Sequence, residues 1–298
     1  MIYANTINPA IDYIIDINKF EIGQINKTNN EKILPGGKGI NVSTVLENLG
    51  ISNIALGFIA GFTGKEIQER VEKLGVKTDF IELNQGLSRI NVKIKSECET
   101  AINSDGPEIS DEDFEKLLNK LDVLKQGDIL VLAGNTGLDD IYEKICKRIQ
   151  NRNIKIVADA TGKLLVNVLK YNPFLIKPNK YELEEIFNVK INSNEEIVEY
   201  ASKLQQSGAS NVLISMDVNG AILLCENKEA FYIKAPKGKL VNSVGSGDSM
   251  VAGFLAEFLN SRDYQKSLKF AVASGSASAF SENLATKEEI ERLLKKMQ

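Results

Sequence analysis

The chain contains no histidine. That absence excludes a Ser-His-Asp or Cys-His nucleophile system, histidine-ligated zinc and the HExxH metalloprotease helix. Acid–base work must fall to carboxylates, lysine, tyrosine or cysteine, and any metal would be a hard cation such as Mg²⁺, held by oxygen ligands and phosphates. Cysteine is scarce: Cys98, Cys146 and Cys225 are odd in number and share no short spacing, as expected of free thiols in a reducing cytosol. No apolar run approaches the length of a membrane span. The stretch Met1 to Thr6 lacks a basic n-region and a cleavable apolar core, so no signal peptide is expected. Net charge is −4 with no block of one sign, which argues against nucleic acid or an anionic membrane as partner. The expected location is the cytoplasm.

What is present is an ordinary globular composition, 43% hydrophobic and 26% charged over 298 residues, with no linker, low-complexity segment or internal repeat. Two glycine-rich stretches stand out. In Val241 to Met250, Gly245-Ser246-Gly247 directly precedes Asp248, and Val251, Phe254, Leu255, Phe258 and Leu259 then repeat as one helical stripe. The pattern predicts a tight loop feeding a helix with Asp248 at its start. Free N–H groups there form an anion site, and Asp248 is either an N-terminal cap or a base beside bound phosphate. The second stretch, Pro35-Gly36-Gly37-Lys38-Gly39-Ile40-Asn41, runs into a helix with Val42, Val45, Leu46 and Leu49 on one face and Gly50 as its stop. Neither stretch is a Walker A loop, nor is Gly61 to Glu66, and Gly245-Ser246-Gly247 lacks the third glycine of a dinucleotide fingerprint.

Short strands are expected at Ile2 to Ile7, Asp12 to Ile17 and Glu31 to Leu34. Leu87 to Lys95 alternates, with Ile90, Val92 and Ile94 on one face and Arg89, Asn91, Lys93 and Lys95 on the other. Lys93 and Lys95 read as the solvated face of an edge strand; Arg89 and Asn91 read as functional. After Ser104 helices and apolar strands alternate regularly, predicting a doubly wound, mostly parallel α/β sheet with ligands at the carboxyl ends of its strands. The amphipathic N-terminal strands predict a smaller sheet inserted in that body.

At these residues the chain resembles the PfkB (ribokinase-like) sugar kinases, over nearly its whole length. The likeness rests on Gly36 to Val42 and Val241 to Gly253. Asn5 to Asp12, Ser88 to Lys93, Glu99 to Asn103, Gly106 to Ile109 and Lys177 to Leu183 are similar to the branch of 1-phosphofructokinases and tagatose-6-phosphate kinases. The resemblance implies one ribokinase-like α/β domain over residues 1–298 with a discontinuous β lid from about 9–34 and 87–104. It implies ATP-dependent phosphorylation of a phosphorylated ketohexose, fructose 1-phosphate before tagatose 6-phosphate. Asp248 would be the base and the N–H groups of Gly245, Ser246 and Gly247 the anion hole, with Gly247 also touching ATP. Asp12, Gly37, Lys38, Asn41 and Asn103 would hold the sugar, Arg89 and Asn91 would lie near its phosphate, and Lys27, where arginine is usual, would add a second phosphate contact. Asn179 and Glu182 would place Mg²⁺ through water, and Ser215, Gly220 and Asn179 would border the nucleotide.

Thr44 replaces a usual arginine, Ala133 to Gly137 departs from a usual Gly-Ser-Leu-Pro, and Asp217 stands where glycine is common. Readings of another class are a non-catalytic nucleotide or sugar-phosphate sensor and, less well matched, a dinucleotide-dependent oxidoreductase. A homodimer through the lids is expected, because the apolar face of the Leu87 to Lys95 strand needs a cover.

Overall fold

The computed structural model describes residues 1–135 and 137–297. The alternation of apolar strand runs with amphipathic helices builds a sheet in the order β14-β13-β12-β11-β10-β9-β1-β4-β5, with β5 (Lys77–Thr78) at one edge and β6 (Ile81–Leu83) also paired to β4. Its parallel centre is β1 (Ile2–Thr6), β4 (Asn53–Ala60), β9 (Ile129–Ala133), β10 (Lys155–Asp159), β11 (Leu175–Ile176) and β12 (Asn211–Ser215). The hairpin of β13 (Ala221–Leu224) and β14 (Ala230–Ile233) adds an antiparallel edge. The central strands are apolar on both sides because helices cover both faces. One layer packs α3 (Asp111–Leu121), α4 (Ile141–Ile149), α5 (Gly162–Val168), α6 (Lys180–Phe187) and α7 (Asn194–Gln206). The other packs α1 (Lys38–Asn48), α8 (Ser246–Ser261) and α9 (Tyr264–Ala279).

The Asp248 helix is not the half-exposed helix its stripe predicts. Met250, Ala252, Gly253 and Ala256 on the other side of α8 are buried too. The small residues of α9 allow this: a Cβ on Gly253 would meet Ser274 Oγ at 2.2 Å, so the two helices touch almost backbone to backbone. The first turn of α8 is thereby fixed against the sheet.

A second sheet, in the order β3-β2-β7-β8, is formed by β2 (Ala10–Asp16), β3 (Asn30–Gly36), β7 (Arg89–Lys95) and β8 (Thr100–Asn103). Strand β7 is therefore interior, not an edge. The period-two alternation is as expected, but the burial is not: the polar face of β7 turns toward the body, and Ile90 on the other face is 40% exposed. Lys32 donates to Asn283 Oδ1 at 2.5 Å and Arg70 Nη1 to the carbonyl of Ile33 at 2.9 Å, tying the small sheet to the body. Among the described residues no helix is long and apolar enough to cross a membrane.

Phe254 is fully buried and stacks on Phe258, with ring centroids 5.9 Å apart. Replacing it leaves a cavity under the helix that carries Asp248. We expect Phe254→Ala to lower unfolding free energy by about 3–5 kcal/mol, read as a lowered denaturant midpoint at unchanged slope; a loss below about 1 kcal/mol would show that the helices collapse to fill the space.

Candidate active site

The site lies where the carboxyl ends of the strands meet the N-termini of α1 and α8. Glycine is required there for two physical reasons. Gly245, the residue before α8, has φ 78°, a left-handed turn that aims the chain into the helix. Gly36 lies against Asp12: a Cβ there would sit 2.6 Å from the Asp12 Cγ. Gly37 follows as the residue that starts α1.

Asp248, in the first turn of α8, is buried, and its Oδ2 accepts a hydrogen bond of 2.7 Å from Asn41 Nδ2 on α1. The cap reading of Asp248 fails, because the side chain makes no hydrogen bond to the helix's own amides. Ser246 N–H donates to the carbonyl of Ser243 at 3.4 Å, a long bond, and Ser246 Oγ donates to the carbonyl of Gly275 at 3.0 Å. The amides of Gly245, Gly247 and Asp248 make no hydrogen bond among the described residues, so the free donors are shifted by one residue from those the resemblance implied.

Two residues absent from the sequence-based set complete the site. Asp159, the last residue of β10, is 1% exposed; its Oδ1 lies 3.2 Å from Lys38 Nζ and 3.3 Å from Lys177 Nζ. Lys177 follows β11 and is itself buried, its Nζ 3.1 Å from where a Cβ on Gly247 would stand. A charged residue closing an apolar parallel strand was the available signal in both cases, since ligands gather at those strand ends.

Two carboxylates and two ammonium groups thus share a buried space, and their environments separate them. Burial raises the Asp159 carboxyl, but Lys177 and Lys38 together outweigh it and hold it below the usual range. Asp248 has no lysine in contact. Burial, then the charge of Asp159, pushes it up to about 6 against the opposing pull of Lys38, Asn41 and Lys177. Burial would lower Lys38, yet Asp159, Asp248 and Glu182 raise it, so Lys38 remains a fixed cation. Such a split pair assigns the permanent charge to Asp159 and the exchangeable proton to Asp248.

Of the residues expected to hold the sugar and its phosphate, Asp12, Arg89 and Asn91 lie together on the small sheet. Asp12 accepts from Asn91 Nδ2 at 2.8 Å and from Lys93 Nζ at 2.7 Å. Lys93, with only 14% of its side chain exposed, is thus a site residue and not a solvated edge lysine. Burial lowers the Arg89 guanidinium while Asp12 and Asp105 oppose the shift, and its Nε is buried without a partner, as is Asn91 Oδ1. Asp12, Asn41, Thr44 and Lys93 line one cleft of about 360 Å³ between the small sheet and the body. Thr44 donates to the carbonyl of Ile40, leaving the space of the usual arginine open to this cleft.

Other predicted residues stand apart. Lys27 is exposed in the loop between β2 and β3 and makes no hydrogen bond or ion pair among the described residues, and Asn103 is exposed on β8, opposite Asn91. Asn179 and Glu182 form a reciprocal cap at the start of α6: Glu182 N–H donates to Asn179 Oδ1, and Asn179 N–H to Glu182 Oε2, both at 2.8 Å. Ser215 pairs with Asn179 in a parallel bridge. Gly220 closes the β12–β13 turn, where a Cβ would strike the carbonyl of Ile233 at 2.0 Å, a structural need for glycine in its own right. Asp217 is exposed on that turn with φ 50°, and Asn135 Oδ1 accepts from the Thr161 hydroxyl at 2.7 Å. Thr136 of the departing segment lies outside the described residues.

Oxygen is the donor available to a cation here. Asp159 Oδ2 is buried without a partner, and Glu182 keeps Oε1 outside its cap bond. Among the described residues no group of three or more His, Cys, Asp or Glu could hold a metal ion. This set fits Mg²⁺ held chiefly by phosphates and water, and not an all-protein cage.

The pfkB family carbohydrate kinase model matches residues 5–291. The 1-phosphofructokinase of Bacillus subtilis (strain 168) is 44% identical over 297 residues, 99% of this chain and 97% of its own. The D-tagatose-1-phosphate kinase of Bacillus licheniformis is 35% identical over 302 residues, 100% of this chain and 99% of its own. A crystal structure of a candidate phosphofructokinase from Staphylococcus aureus superimposes with a TM-score of 0.88 at 40% identity, covering 99% and 97% of the two chains.

Asn41 supplies the hydrogen bond that opposes the rise of the Asp248 pKa. In carbon-detected titration of labelled aspartate the Asp248 carboxyl should titrate near 6, and Asn41→Ala should move it upward. A midpoint unchanged in the variant would show that Asn41 does not set the ionisation.

Proposed function

The chain belongs to the pfkB family of carbohydrate kinases, and we propose that it transfers the γ-phosphoryl group of ATP to the C6 hydroxyl of a ketohexose 1-phosphate, converting fructose 1-phosphate to the 1,6-bisphosphate. The observation that carries this reading is the raised carboxyl of Asp248 beside the free amides of Gly247 and Asp248 at the start of α8. A hydroxyl attacking phosphorus loses its proton late, and a buried carboxylate of pKa about 6 is a suitable acceptor. The free amides, with Lys38 and Lys177, stabilise charge on the transferring group from fixed positions. Asp159 holds the ammonium groups of both lysines in place. ATP lies toward Asn179, Ser215 and Gly220, and Glu182 and Asn179 would hold Mg²⁺, whose chemistry when bound would be to offset charge on the phosphate oxygens. Asp12, Asn91 and Asn41 take the sugar hydroxyls, and the unpartnered Nε of Arg89 offers a donor at the phosphate end.

The 1-phosphate is favoured because the B. subtilis and B. licheniformis relatives are both named for ketohexose 1-phosphates. Tagatose 6-phosphate is the second reading, carried by the Staphylococcus epidermidis tagatose-6-phosphate kinase, 32% identical over 289 residues.

We further propose a cytoplasmic dimer through the small sheets, which then act as lids. The outer face of that sheet carries Ile33, Ile90 and Ile102, at 38%, 40% and 58% exposure, an apolar face needing a cover.

An ADP-release assay with ATP, Mg²⁺ and fructose 1-phosphate, tagatose 1-phosphate or tagatose 6-phosphate tests the kinase reading. The two 1-phosphates should be preferred, and kcat/KM should fall as pH drops through about 6, when Asp248 takes up its proton. Asp248→Asn should lose roughly 10²–10⁴-fold in kcat. Silence with every sugar phosphate would leave a sensor as the better reading. For the dimer, Ile90→Asp with Ile102→Asp should convert the sedimenting species to monomer; a wild-type monomer at micromolar concentration would sink that proposal.

A further inference from the structure

Serines within helices commonly return their hydroxyls to the carbonyl four residues back. On α9 Ser267 and Ser274 do so, bonding the carbonyls of Asp263 and Phe270 at 2.6 and 2.8 Å. Ser278, one turn further on and buried, breaks the pattern. Its Oγ accepts the amide hydrogen of Ala285 at 2.8 Å and lies 2.7 Å from Oγ of Ser249 on α8. Ser249, also buried, donates its single hydroxyl hydrogen to the carbonyl of Gly245 at 2.7 Å. The hydrogen between the two serines must therefore come from Ser278. One directional chain results, running from the Ala285 amide through Ser278 and Ser249 to the Gly245 carbonyl.

Both ends of this chain meet the site. The Gly245 carbonyl also accepts the amide of Ser249 at 2.8 Å, so two donors hold the peptide that follows the left-handed turn. The free amides of Gly247 and Asp248 come directly after that peptide. At the other end, the Ala285 carbonyl accepts from Asn48 Nδ2 at 2.9 Å, and Asn48, Leu284 and Thr286 all line the acceptor cleft. Leu284 also presses on the turn itself: a Cβ on Gly245 would stand 2.4 Å from its Cδ2. The wall of the cleft and the first turn of α8 thus form one hydrogen-bonded unit, whose links Ser249, Ser278 and Ala285 are all shut off from water. Hydroxyls in such a series polarise one another and strengthen the bonds they share.

We infer that Ser249 and Ser278 are positioning residues for the phosphoryl transfer, fixing through the Gly245 carbonyl where the amides of Gly247 and Asp248 point. Neither serine touches the reacting atoms. Donors in an anion hole stabilise developing charge without reorganisation only when they are already in place. Glycine permits the left-handed turn before α8 but does not enforce it, and the serine chain supplies the restraint that glycine lacks. This rests on the kinase reading above and deepens it, adding two hydroxyls to the carboxylates, lysines and amides of the site.

The variants Ser249→Ala, Ser278→Ala, their combination and Ser278→Thr test the inference, in steady-state kinetics with ATP and fructose 1-phosphate and in amide NMR of the substrate-free protein. Each alanine should lower kcat roughly 3- to 10-fold, the range of one lost hydrogen bond. kcat/KM should fall in proportion, with KM for fructose 1-phosphate within about twofold. The double variant should lose no more than the worse single one, because either gap breaks the chain. Ser278→Thr, which keeps the hydroxyl, should recover most of the loss. Without substrate, the Gly247 and Asp248 amide resonances should shift in Ser278→Ala, although that side chain bonds neither residue. Variants that lose thermal stability but keep wild-type kcat and unmoved amide resonances would overturn the inference and leave the serines as packing between α8 and α9. Shifted resonances in a protein whose wild type turns over no ketohexose phosphate would instead overturn the kinase reading alone.

Discussion

The rest of the site depends on one buried arrangement, the carboxylate of Asp159 held between the ammonium groups of Lys38 and Lys177. Charges inside a protein persist only when each is paired, because the loss of hydration is not otherwise offset. By taking both lysines, Asp159 leaves Asp248 without one in contact, so burial, and then the charge of Asp159, raises the Asp248 carboxyl. The lysines come from the start of α1 and the end of β11, the carboxylates from β10 and α8, so the sheet fixes the distances. No histidine is needed, because burial and a neighbouring charge move a carboxyl into the range that imidazole would otherwise occupy.

Much of this was legible in the sequence. Strand runs such as Ile129 to Ala133 and capped helices such as the one begun by Ser110 announce themselves through local pattern, and the structure follows them. Gly245 was legible as part of a tight loop before a helix, whereas the contact of Gly36 with the Asp12 carboxylate appears only once the small sheet is folded. Asp159 and Lys177 were not, since they are distant in sequence and meet only when neighbouring parallel strands align their ends. The surface character of Lys93 was misread for a related reason. Alternation tells which residues share a face but not which face meets the body, and that depends on how the small sheet docks. The burial of α8 on both its sides was hidden likewise, because the small residues that permit it lie on α9.

Two of the features expected at the nucleotide have plain structural readings beside functional ones. The Asn179–Glu182 cap would exist without a nucleotide, and Gly220 would be glycine for the sake of the hairpin alone. Neither reading displaces the other: a cap that fixes Glu182 also fixes where its second oxygen points. Arg89 Nε and Asn91 Oδ1 have no such internal use, and buried polar atoms without partners are uncommon enough to mark a place made for something else.

Strand β7 places the cations of the cleft and the isoleucines of the outer surface on alternate residues of one seven-residue segment. Inserting or deleting a single residue within it would rotate every later side chain through the sheet, turning lysines outward and isoleucines toward the cleft. The segment can therefore vary in composition but not in length. Length changes are better tolerated in the exposed turn at 97–99 that leads to β8, where no pairing register is broken. A spacing constraint of this kind acts on the number of codons, independently of what they encode.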